Sequence, residues 1–496
     1  MALFGAGSVL SGQSINWDLL NYHLYNPHAW WTGRWIIDVA PAQIQSFFNP
    51  LLHLPYYLAY QHLDHRLLAF VVGAVQGLAI VPLLLLARRV LPSGLSPWLV
   101  IAIAAFGVIG PVFLSEVGTV FGDALLGILI IAGLSMTMRT PASGQRLLAA
   151  GAVVGLAVGL KLTMAIFVPG VVLASLLMRP IADWWRALSF LGLGLAVGYT
   201  LVAGYWMWLM YQRYDSPLFP FFNQVFQSPW AGVGSFRDSR FLPSGLFDGL
   251  FKPLLAAIDH SKALELKYRG PRVLLLFLAL PVAVWLLWRG RLAKPVAALL
   301  AFSAATFLAW SFGFGHYRYL VPIEMVAPIA LSGLFLGAVP QTRHAVQLLL
   351  MVLVLSQLAI KIPKWGRADY GELMLDIQVP ENAMVLLAGR APLAWAALQL
   401  PDDVALVRVA GRYRGIGDQS LMGQRVRQSI TEHDGGFWTL VLKSESELVE
   451  RQLSAFDLRI ERLQCRPIQT RAFYSLGSLL MQCPVLPIGQ SVEQPL

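Results

Sequence analysis

Ten apolar runs, near 66–87, 97–114, 119–138, 147–160, 164–178, 187–211, 273–288, 295–312, 317–339 and 345–361, dictate what this chain can fold into. An α-helix needs about 20 residues to cross a hydrocarbon core about 30 Å thick, and most of the runs approach that length. Backbone N–H and C=O groups find no water in that layer, so the runs must be helices. The chain is 57% hydrophobic and 13% charged, against about 45–50% and about 25% in soluble domains. These figures exclude an ordinary soluble enzyme and predict a mainly α fold: a polytopic transmembrane bundle over 66–361, followed by a small soluble α/β domain over 366–496.

Basic residues orient the bundle. Arg88 and Arg89, Arg139 and Arg146, Arg179 and Arg186, Arg289, Arg291 and Lys294, and Arg343 lie in the loops after alternate runs. The positive-inside rule makes these loops cytoplasmic. All five fall on one side when 147–178 crosses twice or dips and returns, whether as a hairpin or a re-entrant pair, and Lys161 then sits at the outer rim. The same parity places 15–65, 212–272 and the tail on the exoplasmic side. The net charge of +10 is therefore an orientation signal: the cytoplasmic loops hold ten basic residues and one acid, Asp183, and everything else is nearly neutral. Nucleic acid is not an expected partner.

The chain opens on an apolar stretch, Ala2 to Leu10, that rises about 14 Å as a helix and cannot span. It lacks the basic n-region of a signal peptide, so residues 1–14 read as a partial first helix, or as the end of one whose start codon is assigned too late. In 15–65, Trp17, Leu20 and Leu24 fall on one helical face beside Asp18, Tyr22 and Tyr25, with Pro27 ending the run, as in a helix lying in the membrane interface. Pro41, Pro50 and Pro55 break 38–58 into short pieces. The 212–272 loop, dense in Pro and Phe, reads as irregular chain capping the bundle.

In the tail, apolar runs at 383–388, 404–409 and 437–442 alternate with helix-like stretches at 392–399, 419–430 and 445–455. Gly411, Gly415 and Gly417 miss the spacing of a dinucleotide fingerprint. Cys465 and Cys483 lie where oxidation is permitted, and a disulfide between them is favoured over two buried thiols.

Ionisable groups at the edges of spans are functional candidates by default. Here they are Asp18 and Asp38, Glu116 and Asp123, Lys161, the cluster His316 to Tyr319, and Glu324, all in the exoplasmic half. Lys161 and Arg318, on separate spans, suit a phosphate clamp, with Asp18 as a general base. Each also has a plainer reading: Asp18 as a helix cap, Lys161 and Arg318 as side chains snorkelling to headgroups. His23, His28 and His53 surround Asp18 without metal-ligand spacing, so no metal ligands are assigned, and a divalent ion stays the weaker alternative.

WDLLNYHLYNPHAWW, DVAPAQIQSFFNPLLHLPYYL, GLAVGLKLTMAIFVPG, SPLFPFFNQVFQSP, FRDSRFLP and HYRYLVP, in this order over 15–340, resemble the GT-C superfamily of integral membrane glycosyltransferases. Bacterial members similar to the protein mannosyltransferases and the lipid A aminoarabinose transferase are the nearest in kind. The resemblance implies an enzyme of the bacterial inner membrane, working on the periplasmic side. It would take a sugar from a polyprenyl-phosphate-linked donor and pass it, with inversion, to a lipid, glycan or protein acceptor. It carries the catalytic base onto Asp18, with Asp38 in reserve, and the donor phosphate onto Lys161 and Arg318, with His316 beside them. Tyr22, His23, Glu116 and Asp123 are then expected around the substrate. The mannosyltransferases have two adjacent acids in the first outer loop, whereas Leu19 follows Asp18 here, which leaves acceptor class and metal use open. The competing expectations are a lipid-linked saccharide transporter or flippase, and a non-catalytic cell-envelope assembly protein.

Overall fold

In the computed structural model, which describes residues 1–141, 143–234, 236–339, 342–410, 419–470 and 479–489, the apolar runs become helices in the predicted order. His65–Val90, Ile181–Tyr214, Pro271–Trp288, Lys294–Gly313 and Tyr317–Ala338 are long and apolar enough to cross a membrane, and Pro97–Gly107, Asp123–Thr137, Gly144–Leu160, Leu162–Leu177 and Arg343–Leu358 are shorter. The protein is an integral, multi-pass membrane protein. Gly411, Gly415 and Gly417 lie outside the described residues.

The chain divides into two units, the first formed by Met1–Ser11, Ala69–Tyr205 and Asp238–Trp365. Tyr317–Ala338 is its central helix, with 83% of its apolar window buried against 28% for Ile181–Tyr214. Small residues let other backbones close on it: a Cβ at Gly107 would come within 2.6 Å of the Met325 carbonyl oxygen. The partial first helix, Ala2–Leu10, packs beside the span that begins at His65, where Ser8 Oγ donates to the Ala69 carbonyl at 2.7 Å.

A glycine seam joins Gly144–Leu160 to Trp184–Tyr214. Added Cβ atoms at Gly151 and Gly155 would lie 2.1 and 2.3 Å from the carbonyls of Leu191 and Leu195, and at Gly194 and Gly198 only 2.0 Å from those of Leu148 and Ala152. Within lipid, where water drives no helix association, such backbone approach supplies dense van der Waals contact. The helix ends at Lys161, which is extended at φ −149°, ψ 108°.

Two expectations are corrected. The 212–272 segment is not simply irregular, because Leu246–Ile258 forms a 13-residue helix through Pro253; its apolar residues recur at helical spacing, which outweighs the proline. Nor does Pro27 end a helix: it lies in the first turn of Tyr25–Thr32, where its missing N–H would have had no partner anyway.

The second unit comprises Gly12–Leu68, Trp206–Arg237 and Gly366–Leu496. Its sheet is built on Met384–Leu387, which pairs in parallel with both Ala405–Arg408 and Phe437–Leu442. The latter pairs antiparallel with Leu480–Pro487, on which Leu458–Ile460 and Arg466–Ile468 also align. Crossovers between the parallel strands carry Ala394–Gln399 and Leu421–Thr431, as parallel pairing requires. The first outer loop joins this fold: Val39 bridges Val407 in parallel, and Val39, Phe47 and Phe219 share one apolar core with Leu386, Val407 and Val449. Cys465 and Cys483 are disulfide-bonded with Cα atoms 4.2 Å apart.

Candidate functional site

In the helical unit the site is built around a turn. Pro111–Glu116 is a short helix, and the chain reverses through Gly118 and Gly122, at φ +77° and +86°, before Asp123–Thr137 begins. Gln76 spans the turn, its amide donating to the carbonyls of Glu116 at 3.0 Å and Thr119 at 3.1 Å while its oxygen accepts from Gly118 N–H at 2.8 Å. Glu116 is fully buried and accepts the Ala124 N–H at 2.8 Å, a carboxylate at a helix start where the backbone dipole favours it.

Asp123 is the focus. Lys161 Nζ lies 2.5 Å from its Oδ1 and also donates to the Phe121 carbonyl at 2.9 Å. Arg318 Nε lies 3.2 Å from Asp123 Oδ2. The Arg318 guanidinium stands 4.0 Å from the Phe121 ring centroid and 5.5 Å from that of Trp365, and the Trp365 indole donates to Ser115 Oγ at 3.0 Å. Two cations from separate spans thus converge on one buried carboxylate, held by aromatic faces. Asp123 offsets the mutual repulsion of the two cations, which together suit an anionic group.

His316 belongs to the same turn as Arg318. Its Nε2 pairs with Glu265 Oε2 at 2.8 Å and its Nδ1 accepts the Arg318 N–H at 3.3 Å. Burial pulls its pKa below the ordinary value, so the ring is neutral and donates to Glu265. Burial pushes the Glu265 carboxyl up, but His316, a backbone hydrogen bond and the Arg240 charge together outweigh it and bring the pKa down to about 2.

The remaining predicted residues lie in the second unit. Asp18 is half-buried and precedes a π-helical turn, Leu19–His23, an irregularity frequent at functional sites. Asn16, rather than Asp18, caps that turn by accepting the Leu19 N–H at 2.9 Å. Tyr22 packs edge-on to Phe48, and His23 stacks on His53 with centroids 3.9 Å apart. Stacked rings cannot aim their nitrogens at one ion, and His28 is engaged by the Tyr57 hydroxyl at 2.8 Å. Among the described residues no group of three or more His, Cys, Asp or Glu is placed to hold a metal.

Asp38 is enclosed. It pairs with Arg34 at 3.2 Å, accepts the Tyr25 hydroxyl at 3.1 Å and takes the Leu406 N–H at 2.9 Å. Burial pushes its carboxyl up to about 6, against the pull of Arg34. Tyr25, Asp38, Trp206 and Tyr214 are among the walls of a small cleft of about 30 Å³ in this unit.

Gln76, Phe121, Glu265 and Trp365 were not singled out from sequence. A glutamine inside an apolar run was the one available signal; Trp365 carries none, since its neighbours in the chain say nothing of Ser115 or Arg318.

No family model matches the chain, and no curated protein sequence does. Among solved structures, the chain is similar to the crystal structure of ArnT from Cupriavidus metallidurans bound to undecaprenyl phosphate, at 18% sequence identity and a TM-score of 0.47. The match covers 71% of this chain and 61% of that one, so the chain spans less than two thirds of the length of that neighbour.

Proposed function

We propose that the protein is a membrane glycosyltransferase that moves a sugar from a polyprenyl-phosphate-linked donor to an acceptor outside the cytoplasm, at the periplasmic face of a bacterial inner membrane. The observation that carries this reading is the convergence of Lys161 and Arg318 on Asp123. When the sugar leaves, negative charge grows on the departing phosphate, and fixed cations stabilise that charge most in a site poor in water. Arg318 supplies a planar fork matched to phosphate oxygens and Lys161 a point charge. Asp123 keeps the two cations in register before donor arrives.

The base on this reading is Asp18, which takes the proton of the acceptor hydroxyl as its oxygen attacks the anomeric carbon and the carbon–phosphate-oxygen bond breaks. Inversion follows from a single displacement. Half-burial leaves the Asp18 carboxylate accessible to an acceptor hydroxyl. Asp38 is the reserve, less accessible because it is buried.

The test is transfer from a synthetic polyprenyl-phosphate sugar by purified, reconstituted protein. Asp18→Asn should lose at least a hundredfold in rate with donor affinity unchanged. A variant that folds and keeps its rate removes Asp18 from the reaction. A full-length protein that binds donor and releases it unaltered on the opposite side of a vesicle would favour a flippase instead.

A further inference from the structure

The helix Leu246–Ile258 carries a surface that the proposed reaction does not use. Leu246, Phe247, Leu250, Phe251 and Ile258 are exposed, Phe247 and Ile258 each by 78%. At about 100° per residue they fill one arc of about 140°, and the other residues on that arc, Leu254 and Ala257, are apolar too. The opposite arc is turned inward, with Gly249, Lys252, Pro253 and Ala256 buried.

That inward face fixes where the helix lies. The Gly249 carbonyl accepts from Ser311 Oγ at 2.7 Å, and a Cβ at Gly249 would come within 2.3 Å of the Phe312 ring. Ser311 and Phe312 belong to the last turn of Lys294–Gly313, a helix long enough to span. The short helix therefore packs at the Gly313 end of a membrane crossing. On the arc, Phe251 meets Phe277 of Pro271–Trp288 with ring centroids 6.2 Å apart, and Leu278 beside it is exposed, as are Leu308 and Phe312 on Lys294–Gly313.

We propose that Leu246–Ile258 lies in the plane of the bilayer at the headgroup boundary, its apolar arc among the outer acyl segments of the lipids. Thirteen residues rise about 20 Å, too short to cross but suited to lying flat. An uncharged arc continuous with the lipid-facing sides of two spans has the bilayer as its partner. On the inward face, Lys252 Nζ donates to the Lys262 carbonyl at 2.9 Å and sits 5.8 Å from the Trp310 ring, whose indole N–H holds the His316 carbonyl at 2.7 Å. The lipid-seated helix is thus linked through Trp310 to the turn that presents Arg318.

The native cysteines are paired with each other, so an introduced cysteine is a unique labelling site. Phe247→Cys and Leu250→Cys in the full chain, each carrying an environment-sensitive nitrobenzoxadiazole probe, are reconstituted into phosphatidylcholine vesicles containing lipids brominated at shallow or deep acyl positions. The expected result is emission blue-shifted from the free probe in buffer, quenched at least twofold more by shallow than by deep bromines. Emission like that of the free probe overturns the proposal. So does a blue shift that bromolipid leaves unquenched, which would mean a protein partner or a second copy on this face, and so does stronger quenching by the deep bromines.

Discussion

Glu324 opens a helix that lies 211 residues before it: its Oε2 accepts the N–H of Phe113 at 3.2 Å and of Val112 at 3.1 Å. The helix so begun ends at Glu116, which in turn takes the Ala124 N–H in the first turn of the helix headed by Asp123. Two buried carboxylates therefore set, in series, where a third one stands.

Removing the first link tests the series. Glu324→Ala leaves two buried N–H groups without an acceptor, each costing about 1–3 kcal/mol, and the thermal unfolding midpoint in detergent should fall by several degrees. Glu324→Gln keeps an amide oxygen and should lose much less. Equal losses would mean that the side chain only fills space.

At the cation pair, Arg318→Ala should weaken binding of a synthetic polyprenyl phosphate at least tenfold, about 1.4 kcal/mol, and Lys161→Ala by a similar factor. Arg318→Lys should recover part of that, since a point charge replaces the fork. Isotherms unchanged in both alanine variants would remove the phosphate from this place. Asp123→Asn has a different signature: it leaves two cations without their shared counter-charge, a change of about 3–5 kcal/mol for a buried pair, visible as loss of stability even without donor.

Asp38 gives the second unit a pH dependence of defined sign. Folded, it holds its proton up to about pH 6, against 3.8 for an ordinary carboxyl. A raised folded pKa means that its stabilising contribution is complete below about pH 4 and is lost as pH rises through 6, on the order of 3 kcal/mol in total. Unfolding midpoints between pH 3.5 and 8 should show this decline. In Arg34→Met, which removes the charge that favours the carboxylate, the decline should extend to higher pH; a shift in the other direction would show that Arg34 does not control the group.

The bond between Cys465 and Cys483 closes a loop with a sequence separation of 18, for which chain entropy predicts about 3 kcal/mol of stabilisation. Thiol labelling of the denatured chain should give no adducts without reductant and two with it. Cys465→Ser with Cys483→Ser should destabilise the tail, read by faster proteolysis of its last strands.

The order of the helices was legible in the sequence because lipid imposes one demand on every span, and hydropathy reports it. So was the break at Lys161, where a charge interrupts an apolar run, and so were the strands around 384–387, 405–408 and 437–442, each a short apolar run between polar stretches. The strands Leu458–Ile460 and Arg466–Ile468 were not, since three residues are too few to show alternation. The helix Leu246–Ile258 hid behind Pro253 and its Phe-rich surroundings. At the site, Lys161 and Arg318 were visible as costly charges, but their meeting at Asp123 was not. An acid at the start of a span looks the same in sequence whether it caps its own helix or holds two distant cations.

The glycine seam has a mechanical consequence. Two helices in contact along their backbones, with no side chains between them to rearrange, move as one plank. Lys161 is the residue at which one of those helices ends, so its ammonium is mounted on this closely packed pair, and a methyl group added at Gly151, Gly155, Gly194 or Gly198 would wedge that mount apart. Positions that a hydropathy profile treats as nearly neutral are thus among those least able to accept even alanine.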